Sequence, residues 1–160
     1  MLKHRLSSDD LENDYTLIAI HSNTEPYKLA FEINQKLKIQ LKRCSYDVSF
    51  DGNNSMFDLY KHISETYNTK LYLILNKSVS ERKIKDQLLF ENLSESFFLI
   101  PELKKVEFLL KIEGGGFNIQ NLLKKLNELD SIISCYRAKI TAAKSKYNLI
   151  FEWWNLTRPK

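Results

Sequence analysis

The chain has 160 residues, of which 43% are hydrophobic and 28% are charged, and its formal net charge is +4. This length predicts one domain over residues 1–160 with a core of ordinary size, and this composition excludes a disordered chain. A surplus of four charges among 24 basic and 20 acidic residues is small for a dedicated nucleic-acid-binding domain, which usually carries a dense basic patch.

The composition also limits which cellular compartment and which cofactors can be expected. Cys44 and Cys135 are too few for a disulfide framework, and no HxxxH or CxxC spacing supplies zinc ligands. No run approaches the ~20 apolar residues that cross a membrane, and residues 1–14 lack the apolar core of a signal peptide. The carboxylates at residues 9–14 lack the glycine turn of a calcium-binding EF-hand loop. We therefore expect a cytoplasmic protein with reduced thiols and without a metal or another cofactor.

A strand, a helix and a second strand open the chain. Apolar residues 15–20 precede an amphipathic stretch at 25–38, which Asn23 or Thr24 can cap. The apolar positions on one face of this helix are Leu29, Ala30, Ile33 and Leu37. From residue 43 the period changes to two, with Cys44, Tyr46, Val48 and Phe50 on the same side. This alternation predicts a strand over residues 43–50 with one solvated face.

The middle of the chain predicts a hairpin formed by residues 56–63 and 70–75 around a turn at 65–69. Both sides of the second run are apolar, which predicts a central strand. Residues 78–92 are interpreted as a charged surface excursion. A short strand at 97–100 is expected to end at Pro101, since proline has no N–H to donate to a sheet.

The first order of elements returns from residue 106. An apolar run at 106–112 precedes a helix at 117–129, a strand at 132–140 and a last strand at 146–152. This repetition predicts an α+β domain, ferredoxin-like in outline, made of two pseudo-symmetric β-α-β-β units at about 15–77 and 97–152. Their strands would form an antiparallel sheet with both helices on one face.

Three local features are candidates for chemistry. Gly114–Gly116 precede a helix as phosphate-binding loops do, but neither G-x-G-x-x-G nor G-x-x-x-x-G-K-[ST] is present, which favours a flexible connection. His21 and Ser22 end the first strand, where an imidazole could act as a base or a ligand, although no nucleophile is recognisably paired with it. Capping or packing is the alternative for both residues. The thiols lack the flanking pattern of a catalytic cysteine; Cys44 falls on an apolar face, and Cys135 lies on the more exposed side of its strand.

Surface residues suggest two kinds of partner. Arg43, Arg137 and Lys139 lie on solvated strand faces, where they could contact RNA phosphates. Trp153 and Trp154 are adjacent and would face opposite sides of a strand, so that one of them stays at the surface. This pair could support contact with a partner or a homodimer, or could pack over the edge of the sheet.

Several segments carry a resemblance to a known family. They are Tyr15–His21 with Ser22, Tyr27–Ala30, Ile100–Lys104 and the run that ends in Lys111–Gly114. With these residues the chain resembles the IPExxDY family of small Bacteroidota proteins, in which Glu107 and Phe108 would stand for the Asp-Tyr pair. The resemblance implies a bacterial cytoplasm and no established activity. It adds Tyr27, Pro101 and Glu102 to the candidate binding residues, with Glu102 either capping the turn after Pro101 or contacting a partner.

No acid, base and nucleophile are recognisable together in the sequence. We therefore expect a non-enzymatic binding or scaffolding module that acts through its sheet surface or an edge strand. An RNA-associated accessory protein with weak binding is one alternative. A small-molecule sensor that binds its ligand between tandem β-α-β-β halves is another, and it depends on fold analogy alone.

Overall fold

The computed structural model describes residues 15–49, 55–81, 94–140 and 144–150. The strands are β1 Tyr15–His21, β2 Lys42–Arg43, β3 Val48–Ser49, β4 Met56–Phe57, β5 Leu59–Ser64, β6 Thr69–Leu75, β7 Lys77–Glu81, β8 Ser94–Phe98, β9 Phe108–Glu113 and β10 Ser134–Ala138. The helices are α1 Pro26–Leu37 and α2 Ile119–Asn127, and short 3-10 turns occupy Pro101–Leu103 and Lys144–Leu149.

Six strands form one antiparallel sheet in the order β10-β1-β9-β6-β5-β2. β3 pairs with β4 and β7 pairs with β8, which gives two separate two-stranded ribbons. The α+β class and the large antiparallel sheet are confirmed. The predicted hairpin is also confirmed as β5 and β6, and β6 is central because it lies between β9 and β5.

Both helices pack on the same face of the sheet. Leu29 and Ile33 of α1 and Leu122 and Leu126 of α2 lie in one buried core with the side chains that alternate toward that face. The sheet residues in this core are Ile18, Ile20, Tyr60, Leu71, Leu73, Phe108, Leu110, Ile112 and Cys135. Burial of apolar surface between the helices and this face is therefore a main source of stability.

The opposite face of the sheet is covered as well, and the side chains there form a second buried core. The sheet side chains Leu17, Ala19, Leu59, Tyr72, Ile74 and Leu109 pack against residues of the ribbons and the last segments, namely Val48, Phe57, Leu99, Ile100, Val106, Ile140 and Leu149. A ligand that approaches the sheet over these residues meets loops and ribbons. The contact surface that the sequence predicted on the sheet is therefore largely occupied by the chain itself.

The two strand–helix–strand segments share their order but place their last strand differently. In the second unit, β10 is separated from β9 by one strand, β1, and pairs with that strand. β2 has only two residues and lies at the other edge, separated from β1 by β9, β6 and β5. The sheet order by itself thus does not repeat between the two units.

The predicted strand at residues 43–50 is divided. The backbone N–H of Cys44 still donates to the Leu59 carbonyl over 2.8 Å, but the chain then leaves the sheet and continues as β3 in a ribbon. Cys44, Tyr46 and Val48 nevertheless pack in the second core, so the alternation predicted the buried side correctly. These side chains pack over a face of the sheet instead of extending its edge, and this packing explains why the strand is interrupted between β2 and β3.

Three other predicted segments also differ. Residues 78–81 belong to β7 instead of a charged excursion, and residues 82–92 lie outside the described ranges. β8 ends at Phe98, and Leu99 and Ile100 are fully buried as they turn across the second core. Residues 144–149 form a 3-10 turn where a last strand at 146–152 was predicted, and residues 151 and 152 are not described.

The triple glycine is a closely packed connection. Gly114 has φ +89°, and a Cβ there would lie 2.1 Å from the Asn68 carbonyl oxygen. The Gly116 N–H donates to Thr69 Oγ1 over 3.2 Å, and a Cβ at Gly116 would lie 2.4 Å from the same oxygen. Glycine is required here because the loop before α2 contacts the turn between β5 and β6 directly.

Candidate functional site

A histidine, a carboxylate and a tyrosine meet where β1 ends. His21 Nδ1 lies 3.4 Å from Glu107 Oε2, and the imidazole ring contacts the Tyr136 ring with their centroids 5.9 Å apart. The side chains of His21 and Glu107 are 25% and 41% exposed, and Tyr136 is 43% exposed. We call these three residues the sheet-end site. It presents a partly exposed imidazole between a carboxylate and an aromatic ring.

Strand register brings these residues together. His21 lies on the same side of β1 as Ala19, and Tyr136 on β10 is directly opposite Ala19. Glu107 comes immediately before β9, whose first residue Phe108 is opposite Ile20. The neighbours of β1 on both sides therefore each supply one residue of the site.

Ser22 positions the residues around the site through hydrogen bonds. Its backbone N–H donates to Glu107 Oε2 over 3.2 Å, which places the carboxylate beside His21. Its hydroxyl donates to the Ser131 carbonyl over 2.6 Å and accepts the Thr24 N–H over 3.2 Å. Since Ser22 is 1% exposed and its hydroxyl hydrogen is directed at Ser131, this residue positions the start of α1 and the loop before β10.

A buried amide positions the loop that ends at Glu107. Asn76 follows β6 and is 0% exposed. Its Nδ2 donates to the carbonyls of Leu103 and Val106 over 2.9 and 3.0 Å, and its Oδ1 accepts the Ile100 N–H over 2.8 Å. Its backbone N–H donates to the Glu107 carbonyl over 2.8 Å. Asn76 was not predicted from the sequence, in which a lone amide after an apolar strand is the available signal.

Pro101 and Glu102 lie on this loop, and both are exposed. Pro101 is the first residue of a 3-10 turn, whose N-cap Ile100 makes no side-chain capping bond. Glu102 accepts hydrogen bonds from the backbone N–H and the hydroxyl of Ser145. Glu102 therefore holds the Lys144–Leu149 segment against the loop.

The three predicted RNA-contacting residues do not share a surface. Arg43 belongs to β2, and Arg137 belongs to β10 at the opposite edge, followed by Lys139. Five strand spacings of roughly 4.8 Å separate these edges, which amounts to about 24 Å. Arg43 also contacts Asp47 and Asp58 and lies over the Tyr60 ring, whereas Arg137 and Lys139 are exposed.

The remaining predicted aromatic residues lie on α1 or outside the described residues. Tyr27 is 67% exposed on the first turn of α1, and Phe31, one turn later, is 58% exposed. Residues four apart on a helix are neighbours, so these rings form an exposed pair. Trp153 and Trp154 lie outside the described residues.

Both cysteines are free. Cys135 is buried under α2, in contrast to the predicted exposed position, because it alternates with Tyr136 and joins the helix-side core. Burial raises the pKa of the Cys135 thiol from its ordinary value near 9 to about 11. Burial also raises the pKa of Cys44, so both thiols are protonated at neutral pH and are poor nucleophiles.

In residues 15–49, 55–81, 94–140 and 144–150, no three His, Cys, Asp or Glu side chains are grouped to hold a metal ion. No helix in these ranges is long and apolar enough to cross a membrane. Comparisons with protein-family models, with curated proteins and with solved structures found no match to this chain.

Proposed function

We propose that this chain is a non-enzymatic binding module that contacts another protein through the sheet-end site. The observation that carries this proposal is the partly exposed imidazole of His21, held between Glu107 and Tyr136. Ile133, which is 68% exposed, adjoins it, since its N–H donates to the His21 carbonyl over 2.8 Å. Aromatic, aliphatic and hydrogen-bonding groups side by side are typical of the central part of protein interfaces.

The groups around His21 favour binding over catalysis. The Ser22 hydroxyl donates to a backbone carbonyl instead of to the imidazole, and so lacks the arrangement of an activated nucleophile. The protonated thiols of Cys44 and Cys135 are buried or half-buried in the two cores. Both faces of the sheet are covered, which leaves the ends and edges of the sheet for a partner.

We also propose that the chain belongs to the IPExxDY family and acts in a bacterial cytoplasm. Residues that carry the resemblance come from distant segments and are linked by contacts. Glu107 contacts both His21 and Ser22, and Asn76 ties Ile100 to the loop that ends at Glu107. The pseudo-symmetry of the two β-α-β-β units is a further proposal. Superposition of residues 15–50 on residues 106–140 tests it, with strand, helix and strand matching in order and handedness as the expected result.

The partner can be tested by recovery from native cytoplasm with and without nuclease. We expect the full chain to recover one protein in equal amounts under both conditions, and His21→Ala/Tyr136→Ala to lose it. The matched control is Ile63→Ala/Tyr67→Ala, which removes two exposed side chains at the other end of the sheet. Thermal unfolding of each variant checks that it is folded.

Two outcomes would contradict the proposal. Loss of the recovered protein on nuclease treatment would indicate an RNA-mediated contact. Retention by the His21→Ala/Tyr136→Ala variant, or equal loss in the Ile63→Ala/Tyr67→Ala control, would show that the contact lies elsewhere on the molecule.

A further inference from the structure

Two lysines face each other across neighbouring strands at one edge of the sheet. Lys42 on β2 is directly opposite Lys61 on β5 in the antiparallel register. Side chains at such positions share a face, and their Cβ atoms lie about 4.5–5.5 Å apart. Like charges in this arrangement repel and destabilise the sheet. Because β2 has only two residues, we expect a negatively charged group to offset the repulsion between these two lysines.

Neighbouring cations in the same part of the sheet are compensated by carboxylates. Arg43 contacts Asp47 and Asp58, and Lys111 contacts Glu113 and donates to the Leu149 carbonyl over 2.8 Å. In the part of the chain that the structure describes, the ion pairs include none with Lys42 or Lys61. Within the described ranges, no carboxylate therefore lies within ion-pairing distance of either ammonium group.

The position of Lys61 is restrained by an aromatic ring. Its Nζ lies 5.5 Å from the centroid of Tyr72, the next residue in the same row across the sheet. Cation–π attraction to a ring that is 3% exposed orients the ammonium group without neutralising its charge. Lys42 is exposed, so a ligand can approach the pair from its side.

We propose that Lys42 and Lys61 bind the phosphate group of a small phosphorylated molecule. Two ammonium groups offer six N–H donors and two positive charges. A phosphate monoester carries close to two negative charges near neutral pH and three terminal oxygens, so it can accept hydrogen bonds from both lysines at once. This site is about three strands from the sheet-end site and does not depend on the proposed protein partner.

Thermal unfolding in inorganic phosphate, against chloride of equal ionic strength, tests this inference. A ligand that binds the folded state alone raises the melting temperature as its concentration rises. We expect phosphate at several times its dissociation constant to raise the melting temperature of the full chain by about 2–4 °C more than chloride does. Lys42→Gln/Lys61→Gln should lose this increment. The matched control Lys104→Gln/Lys105→Gln removes the same charge from an exposed loop and should keep it.

Lys42→Glu is a second variant that does not depend on a weakened fold. It turns the repulsive cross-strand pair into an attractive one, so without phosphate it should melt above the unmodified chain at low salt. It should also lose the phosphate increment. Equal increments in all variants, or none in the unmodified chain, would overturn the inference. Stabilisation by a short single-stranded RNA but not by inorganic phosphate would overturn it in favour of RNA.

Discussion

The side-chain amide of Asn76 satisfies three backbone groups that no strand reaches. It bonds the Ile100 N–H and the carbonyls of Leu103 and Val106 within a loop that crosses the second core. A buried backbone group without a partner is costly, which is why an interior loop needs such a residue. The same amide sets the position of Glu107, and thereby links loop stability to the sheet-end site.

Replacement of Asn76 by Ala should be among the most destabilising changes in the chain. It leaves up to three buried backbone groups unpaired at a cost of about 1–3 kcal/mol each, part of which water can recover, so we expect a loss of roughly 3 kcal/mol. Urea unfolding measures it. Asn118→Ala, which removes the N-cap bond to the Asn121 N–H, is the matched control and should cost about 1 kcal/mol. Equal costs for the two variants would contradict this role of Asn76.

Cys135 gives the folding equilibrium a dependence on alkaline pH. The pKa of its thiol is about 11 in the folded chain and near 9 when exposed, so the folded state retains a proton that the unfolded state loses. The resulting stabilisation is complete below pH 9 and is lost as pH rises from 9 through 11. Urea unfolding at pH 8 and pH 10 should therefore show a larger decrease for the unmodified chain than for Cys135→Ala. Parallel decreases would show that another group dominates.

The helices and strands that could be predicted are those with a clear apolar periodicity in their own residues. α1, α2, β5 and β6 were predicted from apolar periodicity, because each buries a face that its own residues define. The division of residues 43–50 between β2 and β3 could not be predicted, since alternation specifies which side is buried and not which strand is the neighbour. The ribbon of β7 and β8 was missed for a related reason, because its pairing joins segments on either side of a polar stretch.

The exposed edge of β10 is partly closed by a side chain. Asn127 Nδ2 donates to the Cys135 carbonyl over 3.2 Å, and the Cys135 N–H donates to Asn127 Oδ1 over 2.9 Å. The amide thus pairs with both backbone groups of Cys135, as another strand would. Such protection limits association of an edge strand with a second chain.

We expect Asn127→Ala to self-associate more than the unmodified chain, because it leaves a pairing position open on β10. Sedimentation velocity over a range of concentrations measures this. Asn121→Ala removes an amide from an exposed position of the same helix and should remain like the unmodified chain. An unchanged oligomeric state in Asn127→Ala would show that Asn127 does not protect the edge.

For the whole molecule, the distribution of charge limits binding to RNA. Arg43 lies on one edge of the sheet and Arg137 and Lys139 near the other, so a strand of RNA meets no continuous row of these residues. We expect dissociation constants above 1 μM at physiological salt and a slope of log affinity against log salt no steeper than about −1.4, equivalent to two phosphates of single-stranded RNA. Titrations at several salt concentrations measure both quantities.

Submicromolar binding at physiological salt, lost when Arg43, Arg137 and Lys139 are neutralised, would contradict this expectation. Neutralisation of Lys124 and Lys125, which are exposed on α2, provides a control that removes two positive charges instead of three. Preferential loss with Arg43, Arg137 and Lys139 would show that the two edges act together despite their separation.

The sheet-end site could be predicted only in part, because the order of the strands in the sheet brings its residues together. His21 and Ser22 were recognised from their position at the end of a strand. Glu107 and Tyr136 are 86 and 115 residues beyond His21 in the chain, and they meet it because β9 and β10 lie on either side of β1. Their identity as partners depends on the strand order, which a single sequence with two similar units does not specify.

The flanking of β1 by β9 and β10 has a consequence for synthesis on the ribosome. Tyr15 pairs with Glu113, and Leu17 pairs with Ala138, so the first described strand obtains its neighbours only after most of the chain has been made. At 5–20 residues per second, roughly 5–25 s pass between the synthesis of β1 and that of β10. Until β9 is made, the run Leu17–Ile20 has no native strand to pair with, and until β10 is made it has only one of its two neighbours. Among the described strands, a binding partner of the nascent chain, such as a chaperone, therefore has its longest opportunity at β1.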